Sequence, residues 1–130
     1  MLLAVVVLLR LVRVRVLGLV VVNGDAIQTN EGELIIHPIE HATFVLSWNG
    51  KTIFVDPVGG AKKFKGLPKP DMILITDVHY DHLNVETLAA VAGRTASIIA
   101  PQAVTDQLPK KLRNRATPLA NGQTLLAAGL

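Results

Sequence analysis

The chain opens on an almost unbroken aliphatic stretch, residues 1–22, in which charge appears only at Arg10, Arg13 and Arg15. Its uncharged runs, 1–9 and 16–22, fall well short of the ~18 apolar residues that read as a spanning helix. The alternation Val12-Arg13-Val14-Arg15-Val16 suits a strand with one charged face. A strand this apolar on a free edge would, however, invite aggregation. A degenerate export signal or membrane anchor is therefore expected, although its charges lie inside the segment and no small-x-small cleavage site follows. Polar residues 23–32 then read as a linker.

From Glu33 onward the pattern predicts a folded region. Residues 34–39, 43–48 and 51–55 read as three strands. Asn49-Gly50 should join the last two through a type I′ turn, in which both central residues need positive φ. Asp56-Pro57 ends the third strand, since proline cannot donate to a ladder. Residues 58–70 form a loop of Gly, Lys and Pro, and the apolar run 72–76 should be buried on both faces. Asn84 can cap a helix through about Ala92, with Gly93 as its stop. Residues 97–100 suggest a short buried strand, Pro101 a helix reaching Leu108, and 124–130 a strand cut short. A hairpin-rich segment followed by strand–helix alternation predicts a layered α/β or α+β sandwich.

Composition narrows the chemistry. Hydrophobic residues make up 50% and charged ones 18%, which argues against disorder; with only 4% aromatics, the core must rest on Val, Leu, Ile and Ala. The absence of cysteine removes disulfides, thiolate ligands and a cysteine nucleophile, and leaves the redox compartment undecided. Any metal site must use His, Asp or Glu. Much of the net charge of +3 is local, at Arg10, Arg13 and Arg15 and again at Lys110, Lys111, Arg113 and Arg115. No aromatic lies among the later cations to stack on bases, so a solvated helix face is expected and no nucleic-acid partner.

The densest chemistry is Asp77-Val78-His79-Tyr80-Asp81-His82, directly after the buried run 72–76. Loops at the carboxyl ends of sheet strands collect functional groups, because the sheet holds them while their tips stay exposed. A Zn²⁺ ion needs several nitrogen or oxygen donors converging at about 2.0–2.2 Å. Alternate positions in a tight loop could aim Asp77 and His79 at one point, and a turn could aim Asp81 and His82 at a second. Two ions roughly 3.5–4 Å apart could then polarise a carbonyl or phosphoryl oxygen and generate hydroxide near neutral pH. A plain polar loop is the alternative; the apolar strand before it and the helix after it favour the metal reading.

Ile75-Thr76-Asp77-Val78-His79-Tyr80-Asp81-His82-Leu83 resembles the Thr-His-x-His-x-Asp-His motif of the metallo-β-lactamase superfamily. Upstream, His41-Ala42-Thr43-Phe44-Val45-Leu46 and residues 49–57 resemble the hairpin that precedes this motif, nearest the ascorbate-6-phosphate lactonase-like branch. The resemblance runs from Glu33 to about Gln123. It implies the αββα fold, here the N-terminal half only, as a partial domain over 33–130. By position it implies His79 as a ligand of a first metal, with Asp81 and His82 as ligands of a second. Asp81 would also orient the attacking water. Asp77 stands in place of the motif's first histidine; a carboxylate there is a harder donor, moving preference from zinc towards Mn²⁺, Fe²⁺ or Ca²⁺. The family's downstream ligands, a lone His, a bridging Asp and a last His, are not matched. After His82 there is no histidine, and Asp106 is the only later aspartate.

Two further residues are candidates. His41 could touch substrate or support a ligand, and Asp56 could accept a hydrogen bond beneath the metal loop or simply end a strand. His37 is expected on the solvent side of the first strand. Gly59-Gly60-Ala61-Lys62-Lys63 lacks Walker spacing and reads as a loop.

The expected function is a metal-dependent hydrolase holding one or two divalent ions, zinc first. Its expected substrate is a small-molecule ester or lactone, and acyl-homoserine lactones, the quorum-quenching substrates, are the first variant to test. The alternative is a noncatalytic metal-binding or interaction module, or an inactive fragment, whose open strand faces would favour a homodimer. Residues 1–22 point to an exported, periplasmic or membrane-associated chain in preference to a cytoplasmic one, with membrane contact through that segment.

Overall fold

The computed structural model describes residues 22–127 and Gly129. The expected signal or anchor, and the alternative strand around Val14, lie outside the described residues except for Val22. That residue is buried in the main core. Among the described residues, no helix is long and apolar enough to cross a membrane.

Seven strands form one mixed sheet in chain order: β1 (Asp25–Thr29), β2 (Gly32–Glu40), β3 (Thr43–Trp48), β4 (Lys51–Val55), β5 (Met72–Leu74), β6 (Ser97–Ala100) and β7 (Ala116–Pro118). The first four are an antiparallel meander, and β4 to β7 are parallel. A 3₁₀ turn (Ala61–Phe64) lies between β4 and β5, α1 (Val85–Val91) between β5 and β6, and α2 (Gln102–Gln107) with α3 (Lys110–Arg113) between β6 and β7. This is the layered α/β arrangement expected from the hairpin segment followed by strand–helix alternation.

The Asn49-Gly50 turn forms as predicted, with φ of 48° and 70°, and places Trp48 opposite Lys51. Asn84 caps α1 by accepting from the Thr87 amide at 2.8 Å, and Gly93 follows in the left-handed region. The expected linker at 23–32 is different. Residues 25–29 pair with β2 over five positions, so the folded region begins before Glu33. Backbone pairing, not an apolar face, holds this edge strand. At the other end, residues 119–127 form no strand.

Alternation along the strands sends side chains to two faces. Val45, Phe54, Ile73 and Ile98 meet Leu88, Ala92, Val104, Leu108 and Leu112 from the helical side, forming the main core. Phe54 stacks on Phe64 with ring centroids 5.0 Å apart. Ile53, Val55, Met72 and Ile99 form a second cluster on the opposite face, joined by Leu119 and Ala127. The run at β5 is thus buried on both faces, as its unbroken apolar pattern predicts. His37 does not lie on a solvent side. It pairs opposite Val45 and shares the face of Ile35 and Ile39, which pack on the main core, while its Nδ1 contacts the Asn23 carbonyl.

The register also fixes where chemistry collects. Val55 of β4 lies beside Leu74 of β5, so both strands release their chains at the same end of the sheet. Since β3 runs antiparallel to β4, the turn between β2 and β3 falls at that end too.

Candidate metal centre

Asp56 is the first residue past β4. It is 1% exposed and holds a left-handed φ of 43°, a conformation that Asp tolerates better than most residues. Backbone and side-chain bonds offset that strain. Its amide donates to Leu74 O at 2.9 Å, and its carbonyl accepts from Thr43 Oγ1 at 2.6 Å. Its carboxylate spans to the next strand: Oδ1 accepts from the Thr76 amide at 2.7 Å, and Oδ2 accepts from Thr76 Oγ1 at 2.6 Å. Oδ2 also takes His82 Nδ1 at 2.9 Å.

This arrangement sets the His82 ring. With a carboxylate at Nδ1, that nitrogen carries the proton, and the Nε2 lone pair of the neutral ring is left available to an ion. Asp81 Oδ2 lies 3.8 Å from Nε2. The Asp56 hydrogen bond holds the His82 imidazole above its ordinary value of 6.5; burial opposes this, and the charges of Asp56, Asp81 and Asp77 add to it. A tight turn presents the ring, with the His82 and Leu83 amides both donating to His79 O at 2.9 and 2.8 Å.

Asp77 and His79 form a separate pair. Asp77 Oδ2 meets His79 Nδ1 at 2.8 Å, while Oδ1 accepts from the Val78 amide at 2.6 Å. The His79 bond, and after it the Val78 amide, hold the Asp77 carboxyl below its ordinary value of 3.8. So the loop's four candidates fall into two pairs, and among the described residues no three His, Asp or Glu side chains gather as a ligand set. His82 and Asp81 fit a divalent ion as two donors of suitable chemistry, one of them oriented by a buried carboxylate. A closed site needs more than two.

His41 lies in the turn between β2 and β3 with a φ of 45°, ahead of β3 and not within it. It lines a cavity of about 270 Å³ with Asp81, Tyr80 and Asn84. Thr76, Tyr80 and the cavity role of Asn84 were not legible as site residues. For Thr76 a signal existed, a hydroxyl immediately before a His/Asp loop; for Tyr80 there was none beyond an aromatic among polar neighbours.

Several solved structures share this arrangement of strands. A proposed metal-dependent hydrolase from Parabacteroides distasonis ATCC 8503 is 31% identical with a TM-score of 0.68, over 83% of this chain and 47% of that one. CmlA, a diiron beta-hydroxylase from Streptomyces venezuelae, is 25% identical with a TM-score of 0.56, over 71% of this chain and 22% of that one. Igni18, a metallo hydrolase from the archaeon Ignicoccus hospitalis KIN4/I, shares the fold at 15% identity and a TM-score of 0.51, over 69% of this chain and 41% of that one. The chain thus spans about half the length of the first of these, and less of the others. Among curated proteins none gives a significant match. The beta-lactamase superfamily domain matches residues 36–128, from β2 past the His/Asp loop to the end of the described chain, and the protein belongs to that superfamily.

Proposed function

We propose that this chain supplies the strand-and-loop part of a metal-dependent hydrolase acting on a small-molecule ester or lactone. The observation that carries the reading is His82, whose Nδ1 is fixed on buried Asp56 so that Nε2, 3.8 Å from the Asp81 carboxylate, is the nitrogen left for an ion. Histidine ligands of metals recur in this form, the far nitrogen donating to a carboxylate that sets tautomer and direction. Bound there, a divalent ion would supply a Lewis acid and a water acidic enough to ionise near neutral pH. His82 and Asp81 would hold the ion, and the Asp81 carboxylate would be the acceptor available beside it, while Asp56 and Thr76 keep the imidazole from rotating. Zinc is the first ion to try. Were Asp77 to turn from His79 towards the ion, it would add a harder donor and favour Mn²⁺, Fe²⁺ or Ca²⁺.

Lactone hydrolysis, with acyl-homoserine lactones and the ascorbate-6-phosphate lactonase-like branch as the finer form, rests on the resemblance of the hairpin and loop alone. A noncatalytic metal-binding or interaction module is the second reading: two donors are fewer than a closed metal site needs, and no third gathers among the described residues. Metal content per chain and lactone or ester turnover, with and without chelator, separate the two. The hydrolase reading expects turnover that chelator and His82→Ala both abolish. Metal bound without turnover would favour the module, and turnover surviving both treatments would end the metal reading.

A further inference from the structure

A cavity of about 270 Å³ lies against Asp81, walled by Glu40, His41, Gly59, Tyr80 and Asn84. Three segments build it: the turn between β2 and β3, the loop after β4, and the His/Asp loop after β5. Gly59 has a φ of 78°, and a Cβ there would stand 1.9 Å from Glu40 Oε1 and 2.9 Å from Lys63 Cδ. Lys63 is itself paired with Glu40. A side chain at this position would therefore push aside the flexible ends of that ion pair, and the left-handed φ itself favours glycine.

The lining chemistry is selective. Tyr80 is 88% exposed, a large aromatic face turned to solvent at the rim. Asn84 commits Oδ1 to the Thr87 amide and so presents its Nδ2 donor. Asp81 offers a carboxylate acceptor and His41 an imidazole. Among the described residues lining the cavity there is no lysine or arginine, and nearby Lys63 is already paired, so a phosphate or other anion has no counter-charge there. An aromatic platform ringed by an acceptor carboxylate, an amide donor and an imidazole matches a neutral ring carrying several hydroxyls. Its C–H face stacks while its hydroxyls both donate and accept.

We infer that this cavity is the specificity pocket of the site, that it binds a neutral polyhydroxylated ring, and that Tyr80 is the residue that selects it. The inference deepens the hydrolase reading and rests on it for the reaction, though not for the binding. Ligand-observed NMR on the full chain would compare methyl β-D-glucopyranoside with tetrahydropyran and with a glucose phosphate. The expected result is binding of the glucoside above both others, weakened about three- to tenfold by Tyr80→Ala and retained by Tyr80→Phe. Equal binding of the three probes, no binding, or binding indifferent to Tyr80→Ala would overturn the inference. Turnover of gluconolactone against δ-valerolactone is read separately. Tyr80-dependent binding with no turnover of either defeats the hydrolase reading alone, and turnover of both with no dependence on Tyr80 defeats the pocket alone.

Discussion

His82 reaches across from the loop after β5 to Asp56 at the end of β4, its Nδ1 donating to Asp56 Oδ2 at 2.9 Å. The two are brought together by the parallel register of β4 and β5, and Thr76 closes the triangle by donating to the same Oδ2 at 2.6 Å. Asp56 is thus both a fastener between strands and the group that aims the imidazole. Replacing it by Ala leaves the Thr76 amide, the Thr76 hydroxyl and His82 without their acceptor. Asp56→Ala should lower stability by about 3 kcal/mol, read as a shift of the urea unfolding midpoint.

The raised His82 value has a definite sign in linkage. A group whose folded value lies above its unfolded value stabilises most below the latter, here 6.5, and that contribution fades as pH rises through the folded value. NMR titration of the imidazole should give a midpoint above 6.5, falling back towards it in Asp56→Asn. The unfolding free energy of the metal-free chain should decline across the same window.

Asp77 works in the opposite direction. Its lowered value means that its contribution is complete above 3.8 and is lost as pH falls through the folded value. His79→Ala removes the largest cause of that shift, so the Asp77 carboxyl should titrate closer to 3.8 in this variant by carbon-detected NMR.

Much of this was legible from residue pattern alone. The hairpin at Asn49-Gly50 is a local matter of positive φ, and the cap at Asn84 is a local hydrogen bond, so both follow from short stretches. β1 was not legible because Asp25-Ala26-Ile27-Gln28-Thr29 is largely exposed and has no buried face to impose a period. β7 and α3 were hidden by brevity, three and four residues beside Pro118 and Pro109. At the site, the residue types were readable but their pairing was not. Asp77 and His79 stand two apart in a turn, and nothing local decides whether they converge on an ion or on each other. The contact between Asp56 and His82 spans 26 positions and depends on the neighbouring of β4 and β5, which only the folded sheet supplies.

Gly59 offers a test of the cavity wall. Gly59→Ala brings a Cβ into Glu40 and imposes a left-handed φ on an L residue. It should cost about 1–2 kcal/mol of stability by thermal unfolding.

Asn84 tests the frame behind the loop. Its side chain accepts the Thr87 amide at the first turn of α1, so Asn84→Ala should cost about 1 kcal/mol while Asn84→Ser keeps most of the cap. The denaturant midpoints of the two variants measure the difference.

The most direct test is a cobalt titration, followed by visible absorption, of the chain and of His82→Ala and His79→Ala. If Asp56 aims His82 at the ion and Asp77 ties His79 down, His82→Ala should weaken binding about tenfold or more, and His79→Ala by a smaller factor. Unchanged affinity in His82→Ala, with binding lost in His79→Ala, would contradict that assignment.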